Sequence, residues 1–193
     1  MAYDKPIRRI AIVGTGVIGA SWAAQYLARG FDVVATDPAP NAEASLRKYV
    51  DEAWGALMRR HDRSLREVIR EHGGEEIKAT GDGFFLAFAD AGAAMDAMIA
   101  VQRRLAADRE EHGFAPAVRI GLHTAEASRT GLDYLGRGVN YAARIGAAAG
   151  DGEIVASEAT FQAARRAVRE SSKRSLMLKG IAEPVAVASV AWR

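Results

Sequence analysis

The feature that most narrows what this chain can fold into lies near its start. Gly14-Thr-Gly16-Val-Ile-Gly19 sits between a β-branched apolar run, residues 7–13 (IRRIAIV), and a stretch where Ile18, Trp22, Ala23, Tyr26 and Leu27 recur at helical spacing. The apolar run ending abruptly in glycines predicts a buried parallel strand, and Gly30 stands where the following helix would stop. A second strand over 32–36 then leads to Asp37, 18 residues after the last glycine. In that strand–turn–helix context the first glycine permits a tight turn, the second lets the backbone approach a pyrophosphate, and the third lets helix and strand pack closely. The helix N-terminus presents N–H groups to phosphate. Asp37 can accept hydrogen bonds from a ribose diol and would repel a 2′-phosphate, so the pattern predicts NAD rather than NADP, held by Gly14, Gly16, Gly19 and Asp37. A glycine turn that only packs is the alternative.

After Pro38 and Pro40 a polar helical stretch is expected from about Asn41 to Arg60, and from His61 the pattern changes. Leu65, Val68, Ile69 and His72 mark a helix closed by Gly73-Gly74. Residues 77–80 and 84–88 read as a hairpin around Gly81-Asp82-Gly83. Ala91, Ala94, Met95, Met98, Val101, Gln102 and Leu105 lie on one face of the next helix, with the methionines as core filler. A strand over 117–123, a short strand at 133–135, a helix over 139–148, a strand over 153–157, a helix over 158–169 and strands near 176–178 and 185–192 complete the expectation.

Composition removes several function classes. With no cysteine, disulfides, thiolate catalysis and sulfur-ligated zinc are excluded. The formal charge is only +2, and the densest basic cluster (Arg165, Arg166, Arg169, Lys173, Arg174) lacks interleaved aromatics. It reads as a solvated helix face, and no nucleic-acid partner is expected. No apolar run approaches the ~20 residues that span a bilayer, and no secretion signal is recognisable, so no membrane partner and a cytoplasmic location are expected.

The stretch IRRIAIVGTGVIGASWAAQYLARGFDVVATDPAP resembles the opening of the 3-hydroxyacyl-CoA dehydrogenase family, including its carnitine dehydrogenase relatives, over about residues 1–50. That family implies a full doubly wound sheet, a catalytic His–Glu pair and a helical second domain. None of these can be placed here, and His61, His72, His112 and His123 lack matching context, so no hydride-transfer residue is assigned.

From about Asp51 the chain is similar to the class III adenylate/guanylate cyclases. Four segments appear in that family's order: EAWGALMRRHDRSLREVIREHGGEEIKATGDGFFLAF, VRIGLHTAEA, DYLGRGVNYAARI and LKGIAEPV. The expected fold is therefore α/β, a ferredoxin-like nucleotidyl cyclase domain (51–193) preceded by a Rossmann-type βαβ unit (1–50). The resemblance implies a homodimer with sites between subunits, and attack of a ribose 3′-OH on the α-phosphorus of a nucleoside triphosphate, with Mg2+ or Mn2+ held by carboxylates. Carried over residue by residue, Asp82 is a metal ligand, and Lys78 with Asp133 reads the purine edge in a pattern suited to ATP over GTP. Asn140 orients the ribose, Arg144 stabilises charge on the transferring phosphate, and Lys179 holds the terminal phosphates. Asn140 and Arg144, four residues apart, share a helix face. His123 is expected as a packed strand residue.

Cyclases of this kind begin with a strand ending in a metal-binding Asp, followed by a phosphate-cradling segment. That sequence is absent here. Val33-Val-Ala-Thr-Asp37 stands at nearly the right distance, which suggests that strand 32–37 takes the central place in the cyclase sheet with Asp37 as the second metal ligand. Pro38 and Pro40 lack backbone donors where the family uses them, so weak or absent turnover is expected. The rival expectations are an NAD-binding dehydrogenase fragment, and a catalytically inactive module that binds nucleotide or dimerises.

Overall fold

The computed structural model describes residues 6–80, 83–131, 133–165 and 168–193. Two compact units divide the chain: residues up to Arg63 with His112–Phe114, and Ser64–Glu111 with Ala115–Arg193. The division falls inside one helix, close to the change of pattern at His61 and later than the boundary expected near residue 50.

The first unit is built from β1 (Arg9–Val13), α1 (Val17–Ala28), β2 (Asp32–Thr36) and the first part of α2 (Ala42–Glu71). β1 and β2 pair in parallel, from Arg9 opposite Asp32 to Val13 opposite Thr36, as a crossover through a helix requires. Ile10, Ile12, Val33 and Ala35 are half-buried, while Ala11, Val13 and Val34 on the other face are exposed. The buried strand expected at residues 7–13 is thus covered on one face only, and Val13 is 86% exposed. The reason is topological: β1 and β2 form a sheet of two, and parallel strands become fully buried only when helices cover both faces. On α1 the same asymmetry buries Ala20 and Ala23 and leaves Ile18 and Trp22 open.

The two helices expected over 41–60 and 65–72 are one continuous helix, α2. Nothing in Arg60-His-Asp-Arg-Ser64 breaks a helix, and Gly73, at φ 73°, ends it.

The second unit contains the hairpin β3 (Glu75–Thr80) and β4 (Gly83–Ala87), then α3 (Ala91–His112), β5 (Ile120–Leu122), β6 (Ser128–Thr130), β7 (Asp133–Leu135), α4 (Arg137–Ala147), β8 (Ile154–Ser157), α5 (Glu158–Ala163), β9 (Glu170–Leu176) and β10 (Val185–Val190). A four-stranded sheet runs in the order β5-β8-β10-β9, with β5 parallel to β8 and the other pairs antiparallel. β8 is buried on both faces: Ile154 and Ala156 enter one core with Leu65, Ile69, Met95, Met98, Val101 and Leu105, while Val155 enters a second with Ile145, Leu178 and Val187. Met95 and Met98 are core residues, as expected.

Phe84 and Leu86 of β4 pack on the first of these cores, as do Ile120 and Leu122 of β5. Yet among the described residues β3-β4 and the four-stranded sheet share no ladder.

Strand 32–37 does not supply such a link. β2 hydrogen-bonds to β1 in a two-stranded sheet of its own, which corrects the expectation of a shared cyclase sheet. Two further corrections concern the C-terminal third. The helix expected over 158–169 stops at Ala163, and Arg165 takes a positive φ of 50°. Residues 170–176 form strand β9 against β10 instead, so tertiary pairing overrides local helical character. Lys173 and Arg174 therefore belong to a strand, ion-paired to Glu170 and Glu153, and not to a helix face. Arg166 lies outside the described residues.

Candidate functional site

In the first unit the glycine loop has the local geometry that its sequence predicts. Gly14 takes φ 87° and its N–H donates to the Thr36 carbonyl at 2.8 Å, tying the loop to the end of β2. A Cβ on Gly19 would stand 1.9 Å from the Gly14 carbonyl oxygen, a backbone atom that cannot yield, so only glycine fits there. Gly16 caps α1 without a side-chain hydrogen bond.

Asp37 closes this loop. Its Oδ2 accepts from the Thr15 N–H at 2.5 Å and the Thr15 hydroxyl at 3.0 Å, and its Oδ1 accepts from the Ala39 N–H at 2.8 Å. The Thr15 N–H first, then the Ala39 N–H and the Thr15 hydroxyl, hold its carboxyl below the ordinary Asp value. A carboxylate offers about four acceptor positions, so three are occupied and one, on Oδ1, is left for a ribose hydroxyl. The pattern of residues fits a dinucleotide, with a more occupied acidic residue than the sequence suggested. A concavity of about 620 Å³, lined among others by Thr15, Thr36, Asp37 and Arg47, adjoins it.

In the second unit two hairpins are joined by charge. Lys78 on β3 and Asp133 on β7, 55 residues apart, meet with Nζ 3.1 Å from Oδ2, and Lys78 also lies over the Phe85 ring at 5.7 Å. The Lys78 hydrogen bond, and then the Tyr134 N–H at 2.9 Å, hold the Asp133 carboxyl below its ordinary value. Arg129 on β6 makes a parallel link to Glu75 on β3 through two nitrogens at 2.6 and 3.2 Å, and its guanidinium stacks over Tyr134 at 5.5 Å. The Lys78–Asp133 encounter is the one expected from sequence. The Arg129–Glu75 pair and strand β6 were missed, because a salt bridge across 54 residues leaves no trace in spacing.

α4 carries the other expected group. Asn140 is exposed and lies within the helix, so it is not a cap; that position belongs to Gly136. Arg144 is half-buried, and its Nη2 would be 3.7 Å from a Cβ on Gly180, which puts the guanidinium beside the Leu178-Lys179-Gly180 turn. Buried Leu178 anchors that turn, the Ile181 N–H closes it onto the Leu178 carbonyl at 3.0 Å, and Lys179 is exposed. The fold thus gathers Arg144 with the Lys179 turn, and Lys78 with Asp133. Neither Asn140 nor Arg144 hydrogen-bonds to Lys78 or Asp133 within the chain.

Asp82 lies outside the described residues. Among the described residues no three His, Asp or Glu side chains form a group that could hold a metal ion. Asp37 stands at the end of β2 in the first unit, with three acceptor positions engaged by Thr15 and Ala39. No described helix is long and apolar enough to cross a membrane. His123, just beyond β5, is a packed residue as expected: half-buried, stacked on Tyr141 and hydrogen-bonded to Ser157.

Comparison with known proteins finds two kinds of relative, and the match to the first runs past the boundary between the units. Residues 9–97 match the family model of the "3-hydroxyacyl-CoA dehydrogenase, NAD binding domain". An L-carnitine dehydrogenase of Streptomyces griseus is 61% identical over 51 residues, 26% of this chain and 15% of that protein. The match thus spans only 15% of the length of this relative. Among solved structures, the adenylyl cyclase CyaB from P. aeruginosa is 25% identical with a TM-score of 0.62, covering 72% of this chain and 83% of that one. The guanylyl cyclase Cya2 is 26% identical with a TM-score of 0.59, covering 68% and 76%. The chain therefore joins a segment similar to dehydrogenase NAD-binding domains to an α/β fold shared with the adenylate and guanylate cyclases.

Proposed function

We propose that the second unit is a nucleotidyl cyclase-type domain that binds a nucleoside triphosphate, ATP in preference to GTP, and forms cyclic AMP and pyrophosphate slowly if at all. The observation that carries this reading is the meeting of Lys78 and Asp133 from two different hairpins, 3.1 Å apart and half-exposed. A lysine donates and a carboxylate accepts, so the pair offers the adenine edge a donor beside an acceptor. Arg144 and Lys179, gathered at one turn, supply positive charge for the phosphates, a preorganised electrostatic contribution. Asn140, one turn before Arg144, would hold the ribose hydroxyl. Cyclisation would form a bond from the ribose 3′-oxygen to the α-phosphorus and break the bond to pyrophosphate, with the hydroxyl proton passing to solvent. By the cyclase resemblance Asp82 would hold a divalent ion, which would polarise the 3′-hydroxyl and offset phosphate charge. By likeness to the cyclases, the working form would be a homodimer with its sites between the two copies.

The test is ATP binding and cyclic AMP release by the full chain with Mg2+ and with Mn2+, over a range of protein concentration. Micromolar ATP affinity lost in Lys78→Ala and Asp133→Ala, with turnover rising as the protein dimerises, supports the reading. Equal ATP affinity in wild type and both variants refutes it.

A second reading is favoured by the glycine loop: the first unit retains NAD binding without hydride transfer. Gly14, Gly16, Gly19 and the singly available Asp37 oxygen support it. NAD affinity unaffected by Gly19→Val would count against it.

A further inference from the structure

α4 rests on β5 and the segment that follows it at three levels. A Cβ on Gly121 would be 2.2 Å from the Gly146 N, and one on Gly138 would be 2.5 Å from the Ala125 Cβ, so at both places the two segments approach as closely as glycine allows. Between these levels the Tyr141 ring stacks on His123 with centroids 5.0 Å apart and planes 19° apart. On its other side His123 Nδ1 is 2.9 Å from Ser157 Oγ of β8, which is 3.0 Å from Thr160 Oγ1 of α5, and both hydroxyl residues are buried. The middle level therefore runs Tyr141–His123–Ser157–Thr160, and it is the level that carries a proton-binding group.

Resting on the nucleotide reading of the second unit, we propose that His123 is a positioning residue for that site: its neutral ring, held between Tyr141 and Ser157, sets α4 so that Asn140 and Arg144 project together, and protonation of the ring releases the helix. Tyr141 directly follows Asn140 and precedes Arg144 by three positions, so a shift at the stack moves both. The groups that meet the ring are the Tyr141 ring from α4 and Ser157 Oγ from β8, with the first turn of α4 near Gly138 at its edge. The charged side chains on the packed elements are Arg137 and Arg144 on α4 and Glu158 on α5, and no ion pair joins any of them to His123. Glu158 is the one carboxylate in this set and makes no ion pair with His123, and the N-terminal turn of a helix disfavours a cation. Burial likewise holds the ring below the ordinary His value, so it is neutral near pH 7. The folded arrangement is therefore favoured above pH 6.5 and loses that advantage as pH falls.

Amide hydrogen exchange of α4, corrected for the intrinsic rate, and ATP affinity are measured on the full chain at pH 8 and pH 5.5. The wild type is expected to lose α4 protection by up to about tenfold at the lower pH, because an ordinary histidine binds its proton there and this one resists. ATP affinity should fall in parallel. His123→Phe keeps a ring against Tyr141 without a titrating group and should flatten both responses. PH-independent α4 protection in the wild type, or the same pH response in His123→Phe, overturns the proposal. If His123→Phe does not fold, NMR titration of the wild type decides: the His123 ring and the Tyr141 amide must share one midpoint below 6.5, and separate midpoints overturn it. If α4 responds while ATP affinity does not, the positioning role is overturned. If ATP binds at neither pH, it is the nucleotide reading that has failed, and the exchange data still report on the helix.

Discussion

Replacing Glu153 by Gln should remove a large part of the second unit's stability at neutral pH and almost none near pH 2. Glu153 stands just before β8 and ties three strands: Oε1 accepts from Arg174 Nη1 of β9 at 2.9 Å and from the Ser189 hydroxyl of β10, while Oε2 accepts from the Gly150 N–H at 2.7 Å. Burial alone would raise its pKa. The Arg174, Gly150 and Ser189 donors together outweigh that and bring it from the ordinary 4.5 to about 2. At about 1.4 kcal/mol per unit this corresponds to roughly 3 kcal/mol, and its partial opening to solvent reduces it to about 2 kcal/mol. The sign follows from the depressed value: the contribution is complete above pH 4.5 and disappears as pH falls toward 2. Trp192 donates its indole N–H to the Gly152 carbonyl at 2.9 Å, so its fluorescence reports on this corner. Denaturant unfolding followed at Trp192, with Trp22 and Trp54 replaced by Phe, should show Glu153→Gln less stable by about 2 kcal/mol at pH 7, converging with the parent below pH 3. A difference under about 0.5 kcal/mol at pH 7, or one that does not change with pH, would refute this account of the network.

The remaining predictions are more local. Gly121→Ala forces a Cβ to within 2.2 Å of backbone in α4 and should cost on the order of 1–3 kcal/mol, read as a lowered unfolding midpoint. Lys78→Ala should cost no more than about 1 kcal/mol of stability, because the Lys78–Asp133 pair is half-exposed, yet weaken ATP binding at least tenfold, measured by calorimetry. Asp37→Asn should leave any manganese-dependent cyclic AMP formation unchanged while lowering the protection of the Thr15 and Ala39 amides, since among the described residues β2 pairs with β1 alone; reduced cyclic AMP would support the metal role.

Most individual elements were legible because their signals are local. The glycine loop, the hairpin around residue 82, the methionine-bearing face of α3 and α4 with Asn140 and Arg144 follow from period, turn residues and spacing. Two of the errors share a tertiary cause. α5 ends early and β9 begins at Glu170 because β10 offers a ladder that no local propensity announces. The apolar character of residues 7–13 indicated a buried strand, but burial depends on what covers its two faces, and among the described residues the sheet it joins has two strands with one face left open.

Amino-acid order alone determined that two different patterns meet in this chain, because glycine spacing and hydrophobic period are local, and the resemblance it carries nominated the side chains proposed for phosphate and purine. Tertiary structure decided which of these groups meet. It joined Lys78 to Asp133 and placed Arg144 beside the Lys179 turn, and it committed Asp37 to Thr15 and Ala39 in a sheet of two strands. Such contacts form between segments tens of residues apart, where the energy of pairing and packing, and not any local preference, selects the partner.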